Sequence, residues 1–153
     1  MFRMDKRLLK KKIFDSCYNQ QLEKITNIEN AMSEAQTSAN EDEQPKDMYD
    51  ASRIMMLGKR DMYVQQLQFE MLQLETLHKI DLTVNHKTVE FGAVVVTEMQ
   101  NVFISVGLGK FIVEGEPFYA ISPKVPFFQA MRGMKKGDEF VFRGKKIRIK
   151  DVF

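Results

Sequence analysis

A single cysteine, Cys17, stands in a chain of 153 residues. It can form neither an intramolecular disulfide nor a cysteine metal cluster, and a reducing compartment suits it. Histidine is nearly as scarce. His78 and His86 show no metal-ligand spacing and are expected at the surface near a domain junction. No stretch approaches the roughly eighteen apolar residues that a membrane span needs. The basic opening residues lack the apolar run of a secretory signal. A cytoplasmic protein without a membrane partner is expected. Catalytic signatures are missing too. The stretch GLGK, residues 107–110, lacks the upstream glycine and the following Ser or Thr of a phosphate loop, because Phe111 comes next. It reads as a hairpin turn. No Gly-x-Ser-x-Gly elbow occurs, so neither a self-contained hydrolase nor a small-molecule substrate is indicated.

Charge is abundant and segregated. The net charge is +2. Arg3, Lys6, Arg7, Lys10, Lys11 and Lys12 open the chain against Asp5 and Asp15. Glu34, Glu41, Asp42, Glu43, Asp47 and Asp50 follow, against Lys46 alone. Arg132, Lys135, Lys136, Arg143, Lys145, Lys146, Arg148 and Lys150 close it, against Asp138 and Glu139. A basic, then acidic, then basic chain carries a large dipole that steers it toward charged partners. The last basic set reads either as an ordinary solvated face, or as a surface that docks on an acidic partner or touches RNA.

Glycine and proline are absent from about Asp5 to Ala39. Over that span Leu9, Ile13, Cys17, Tyr18, Leu22, Ile25, Ile28, Met32 and Ala35 recur at steps of three and four, which predicts one long amphipathic helix. A second helix is expected from about Met48 to His78, with a stripe of Met55, Met56, Tyr63, Leu67, Met71, Leu74 and Leu77 interrupted by Gly58. Two such helices joined by a short polar turn form an antiparallel hairpin. Cys17 is expected inside the seam, and the methionines read as packing rather than as a ligand box. A monomer is expected, with pairing of the seam to a second copy as the alternative.

After Asp81 the period changes. Val, Ile and Phe alternate with Gly and Pro, which predicts short antiparallel strands. An apolar helical turn is expected from Phe127 to Met131, ended by Gly133, and a terminal hairpin turning at Arg143-Gly144. Phe118, Phe127, Phe128 and Phe140 read mostly as core, although one of the adjacent Phe127 and Phe128 is expected to be exposed. The predicted class is α+β: a coiled-coil hairpin over 1–79 with an acidic tip near 40–48, then a small β domain over 80–153.

Three stretches carry a family resemblance. ISPKVPFFQAMRGMKKGDEF resembles the C-terminal domain of the bacterial transcript cleavage factors GreA and GreB, whose pattern is I-S-x-x-S-P-x-x-x-A-x-x-G-K-x-x-G-D. Ile121, Ser122, Pro126, Ala130, Gly133, Gly137 and Asp138 match without gaps. Val125 stands where the family has serine, and Met134 where it has lysine. Upstream, EFGAVVVTE resembles the family's entry into the same FKBP-like domain. EDEQPKDMYDASR resembles the family's hairpin tip. Aligned on Tyr49, Ala51 and Arg53, Asp42 falls on the first tip acid and Pro45 on the second.

The resemblance implies an FKBP-like second domain and a transcription elongation factor that binds RNA polymerase. The tip would enter the secondary channel and promote Mg²⁺-dependent cleavage of backtracked transcripts, touching the nascent RNA 3′ end only indirectly. The chain would be an accessory factor, not an enzyme. Asp42 and Glu43 would serve the cleavage and, with Asp47, share Mg²⁺ with the polymerase without holding it stably alone; Glu41 is an alternate. Tyr49, Arg53, Ser122, Pro126, Arg132, Lys135 and Lys136 would contact the polymerase. Pro45 leaves a second reading open, a non-catalytic channel regulator like the Rnk-type relatives. A third is an FKBP-like isomerase or chaperone, which leaves the acidic hairpin unexplained.

Overall fold

The computed structural model describes the backbone of residues 5–41 and 46–153, and the side chains of these residues except 36, 38–41 and 46–50. Its elements run α1 (Lys6–Glu41), α2 (Lys46–His78), β1 (Val94–Thr97), β2 (Asn101–Ile104), β3 (Gly109–Val113), β4 (Glu116–Ile121), α3 (Pro126–Met131), β5 (Glu139–Phe142) and β6 (Lys145–Val152). The class is α+β, as the change of period predicts. By contact the chain divides into Gln21–Leu74 on one side and, on the other, α1 up to Gln20 together with Glu75–Phe153.

In the second of these units the strands form one six-stranded sheet, ordered β3-β4-β2-β1-β6-β5. The run Ala93–Val96 explains its centre. Every residue of β1 is buried, because both faces of the strand are covered. Val94 and Val96 join Leu9, Ile13, Cys17, Leu77, Phe103 and Phe118 on one face. Val95 joins Ile104, Phe127, Phe128, Met131 and Ile149 on the other. A strand wrapped this way reads as a continuous apolar run rather than an alternating one. Asp5 starts α1 by accepting a hydrogen bond from the Arg7 amide at 2.7 Å, the usual N-cap arrangement. Steps of four then bring Leu9, Ile13 and Cys17 onto the sheet.

Most strand pairs are antiparallel, but β2 pairs parallel with β4. The chain leaves β2, runs along the sheet edge as β3, and turns back into β4 at Glu114-Gly115. Residues 107–110 therefore end the connection from β2 and begin β3, with Gly109 and Lys110 already paired to β4, and are not the hairpin turn their glycines suggest. The two tight hairpins turn at Glu114-Gly115 and Arg143-Gly144, with φ of 53° and 75°, and 51° and 78°. Left-handed backbone at both turn residues gives the twist that two-residue hairpins need. Thr97 closes the β1–β2 turn, its Oγ1 donating to the Gln100 carbonyl at 2.7 Å.

Residues Gln21–Leu74 pair the remainder of α1 with α2. Ile25 and Ala35 are buried there, and Tyr63, Leu67 and Leu74 are half-buried. Two expectations fail together. Leu22 is 38% exposed and Met71 51% exposed, while their polar neighbours Gln21 and Glu70 are 1% and 4% exposed. The cause is a polar node across the seam. Gln21 Nε2 donates to the Glu70 carbonyl at 2.8 Å and to Glu70 Oε2 at 3.4 Å, and Lys24 Nζ lies 3.2 Å from Oε2. Met55 also lies off the seam, and with Ile54, Met62, Phe69 and Leu72 it gives α2 an exposed apolar face.

The node predicts a thermodynamic cycle. Gln21→Leu or Glu70→Leu alone leaves a buried polar group short of a partner and costs about 1–3 kcal/mol. The double substitution returns to wild-type stability or above, as buried polar pairs replaced by apolar ones often do. Urea unfolding followed by circular dichroism checks both. Gly58 lies exposed within α2, with open space where a Cβ would sit. Gly58→Ala is expected to raise stability by about 0.5–1 kcal/mol in the same measurement.

Candidate functional site

The stretch from Ile121 to Asp138 is built almost entirely from backbone requirements. Ile121 ends β4. Ser122 Oγ then accepts the Lys124 amide at 3.1 Å, and the Ser122 carbonyl accepts the Val125 amide at 3.2 Å. Val125 is extended, with φ −79° and ψ 149°, the conformation a following proline enforces. Pro126 opens α3, where its missing N–H costs nothing and its fixed φ suits the helix. Val125 makes no side-chain cap. A serine would cap there; the valine packs instead against the apolar cluster beneath α3.

Phe127, Phe128 and Met131 form the inner face of α3. Phe127 and Phe128 are 5% and 4% exposed, so neither is offered to a partner, contrary to the expectation that one would be. Phe127 meets Phe140 and Phe142 edge-on at 5.5 Å and 5.0 Å. After α3 the chain turns at Gly133, φ +77°, whose amide donates to the Val89 carbonyl at 2.9 Å. Gly137, φ +93°, donates to the Ile149 carbonyl at 2.8 Å. Asp138 closes the second turn, its Oδ2 accepting the Lys135 amide at 3.0 Å.

The candidate residues divide between the two units. Ser122, Pro126, Arg132, Lys135 and Lys136 lie in the sheet unit. Ser122 is half-buried; the other four are exposed. Arg53 is exposed on α2 in the helical unit. Asp47 and Tyr49 belong to the first turn of α2, at positions where a carboxylate is favoured by the helix dipole. Asp42 and Glu43 lie outside the described residues, between the end of α1 at Glu41 and the start of α2 at Lys46. Among the described residues no three His, Cys, Asp or Glu side chains converge as metal ligands, and no helix is long and apolar enough to cross a membrane.

No protein-family model matches the chain, and no curated protein matches it in sequence. Among solved structures it is similar to the crystal structure of the GreA factor homolog 1 (Gfh1) protein of Thermus thermophilus, at 14% identity and a TM-score of 0.33, over 89% of this chain and 94% of that one. A structure of the transcription factor Gfh1 is similar at 14% identity and a TM-score of 0.32, over 88% and 92%. That degree of likeness assigns no chemistry to this chain.

A polar cluster that the apolar stripe conceals lies where α1 meets the segment after α2. Lys10 is buried, with Nζ donating to the Val84 carbonyl at 3.2 Å. It lines a cavity of about 250 Å³ with Leu82, Val84 and Phe153. Burial pushes its ammonium down to about 8, partly offset by the Glu90 and Asp81 carboxylates. Hydrogen bonds from the Thr83 hydroxyl and amide hold the Asp81 carboxyl below its ordinary value. His86 is buried rather than at the surface, its Nδ1 2.6 Å from Glu90 Oε1. The sequence signal was a lysine one step from Leu9 on the inward face of α1.

The unfolded chain keeps the Lys10 proton up to a pH of about 10.4, while the folded chain releases it through about 8. Between those values the unfolded state binds more protons, so the stability contributed at this site rises with pH, by at most about 1.4 kcal/mol per unit. Cys17, whose thiol burial pushes up to about 12, acts in the opposite sense at alkaline pH. Urea midpoints of wild type and Lys10→Met from pH 7 to 10 separate the two effects, because the Cys17 contribution cancels in the difference. The advantage of Lys10→Met is expected to shrink as pH rises through that window.

Proposed function

We propose that the chain is a Gre-type transcription factor that binds RNA polymerase through its secondary channel and promotes cleavage of backtracked transcripts. One observation carries the reading: Asp42 and Glu43 fall in the short link between two long antiparallel helices, in a chain whose Ile121–Asp138 stretch meets the backbone demands of the Gre C-terminal pattern. Like charges at a loop repel one another and contribute nothing to a hairpin's stability, so an acidic link is better accounted for by what it is delivered to.

The donor chemistry fits a hard divalent cation. Asp42, Glu43 and Asp47 offer carboxylate oxygens, which Mg²⁺ takes in preference to nitrogen or sulfur. One or two such ligands suffice, because the polymerase supplies the rest. When bound between the two proteins, Mg²⁺ supplies charge stabilisation to the oxygens of the phosphodiester being cut. The chain's own part is to carry the carboxylates and to seat them through Tyr49, Arg53 and the exposed Pro126, Arg132, Lys135 and Lys136, with Ser122 at the turn before α3. The polymerase performs the cleavage in the cytoplasm; this chain is an accessory factor.

Pro45 favours a second reading. It occupies the position of the family's second tip acid and has no side-chain oxygen to offer a metal. On that reading the chain occupies the channel and competes with other factors without promoting cleavage. Purified RNA polymerase in a stalled, backtracked complex separates the two. Shortening of the labelled RNA 3′ end on addition of the chain, lowered at least about tenfold by Asp42→Asn with Glu43→Gln while binding persists, is the expected result for loss of catalytic metal ligands. Binding without shortening assigns the plug. Absence of binding to the polymerase removes both readings.

A further inference from the structure

We infer that the β5–β6 hairpin binds the phosphate backbone of a nucleic acid strand. The segment 132–150 carries eight of the chain's cations against two acids, although the whole chain is only +2, so the rest of the molecule is net acidic. All eight cations are exposed. Glu139 is paired with Lys146 at 3.0 Å. Asp151, the next acid along, is paired with Lys6 at 2.6 Å.

The strand arranges three of these cations in a row. Along β6 the side chains alternate, Ile147 and Ile149 inward, and Lys146, Arg148 and Lys150 outward. Successive members of the row are about 6.6–6.8 Å apart, two strand residues each. The Lys135–Asp138 turn is laid against the same strand, with the Gly137 amide on the Ile149 carbonyl and the Ile149 amide on the Asp138 carbonyl. That turn brings Lys136 beside Arg148 and Lys150, and with Glu98 the three line one open depression of about 340 Å³. A row of cations at even spacing is complementary to a polymer that carries one negative charge per repeat.

Two observations distinguish this surface from one made for an acidic protein or for bases. Protein interfaces have an apolar or aromatic centre inside a polar rim. Here the outward apolar residue of the hairpin is Val141, which lies opposite Lys146. Phe140 is buried, and Phe142 packs on Phe127. No aromatic ring of the hairpin faces outward to stack a base, so recognition runs through phosphates and is indifferent to sequence. Lys136, placed against the polymerase under the proposed function, is assigned here to phosphate, and the test uses the chain without polymerase so that the two readings fail separately.

Fluorescence anisotropy of the full chain with labelled oligothymidylate and oligouridylate of about twenty nucleotides tests it. The expected result is binding at about 50 mM KCl to both, within about threefold of each other, with affinity falling steeply as salt rises. Lys136→Gln, Arg148→Gln and Lys150→Gln together reduce the slope of log affinity against log salt by about 2, since each single-strand contact contributes about 0.7. Arg148→Lys keeps the charge and keeps binding, and unchanged thermal melts show the variants folded. Lys11→Gln with Lys12→Gln, on α1, leaves the slope in place. The inference is overturned by no binding at low salt, by an unchanged slope in the triple variant, or by equal loss in the α1 variant. Displacement of the oligonucleotide by polyglutamate at equal charge overturns it in favour of an acidic protein. A tenfold preference for one sugar overturns it in favour of base or sugar recognition.

Discussion

The burial of β1 on both faces sets the terms for the rest of the sheet unit. A four-residue strand with no solvent side needs two layers of cover, and the chain supplies them from distant places. One layer is local, α3 with its Phe127, Phe128 and Met131. The other comes from the first turns of α1 and the last of α2, through Leu9, Ile13, Cys17 and Leu77. The long helices thus have two tasks along their length. Near Leu9 to Cys17 they close a mixed α/β core, and from Gln21 onward they pair with each other. The change of task coincides with the polar node of Gln21 and Glu70.

What was legible in the sequence was local. The Arg143-Gly144 hairpin and the end of α3 before Gly133 follow from dihedral restrictions that act within a few residues, and the helix begins one residue before the expected Phe127, at Pro126. The two long helices follow from the absence of breakers and the 3.6 period. What was not legible depends on partners far along the chain. The parallel pairing of β2 with β4 is a register decision between segments that periodicity treats alike. Leu22 and Met71 were the natural choices for a seam because they are apolar. Gln21 and Glu70 take their places because each completes the other's hydrogen bonding, and neither residue's own sequence neighbourhood reports that. Lys10 and His86 are hidden for the same reason: their burial depends on Val84 and Glu90, not on their own chemistry.

The candidate site divides along the same line. Ser122, Pro126, Gly133, Gly137 and Asp138 are each the residue their backbone position calls for: a turn oxygen, a helix-opening ring, two left-handed glycines and a turn closure. Matching them speaks to how the chain folds there. The charged residues proposed to act are of the other kind. Arg132 and Lys136 satisfy no backbone requirement, and both are exposed, so packing leaves their types free. Charge that the fold does not need is where a partner's demands have room to show, which is why the acidic link and the basic β5–β6 hairpin carry the functional readings.

The single thiol, sealed in the core at Cys17, gives the molecule a practical property. Its exterior carries no thiol, and burial holds the one it has in the unreactive protonated form. A cysteine introduced anywhere on the surface would therefore be the sole target of a maleimide dye or a nitroxide, with the native residue left in place. The chain also has no tryptophan, so an introduced indole would be its only one. Distances from the acidic link to a bound assembly can be read by spectroscopy in an otherwise unaltered protein.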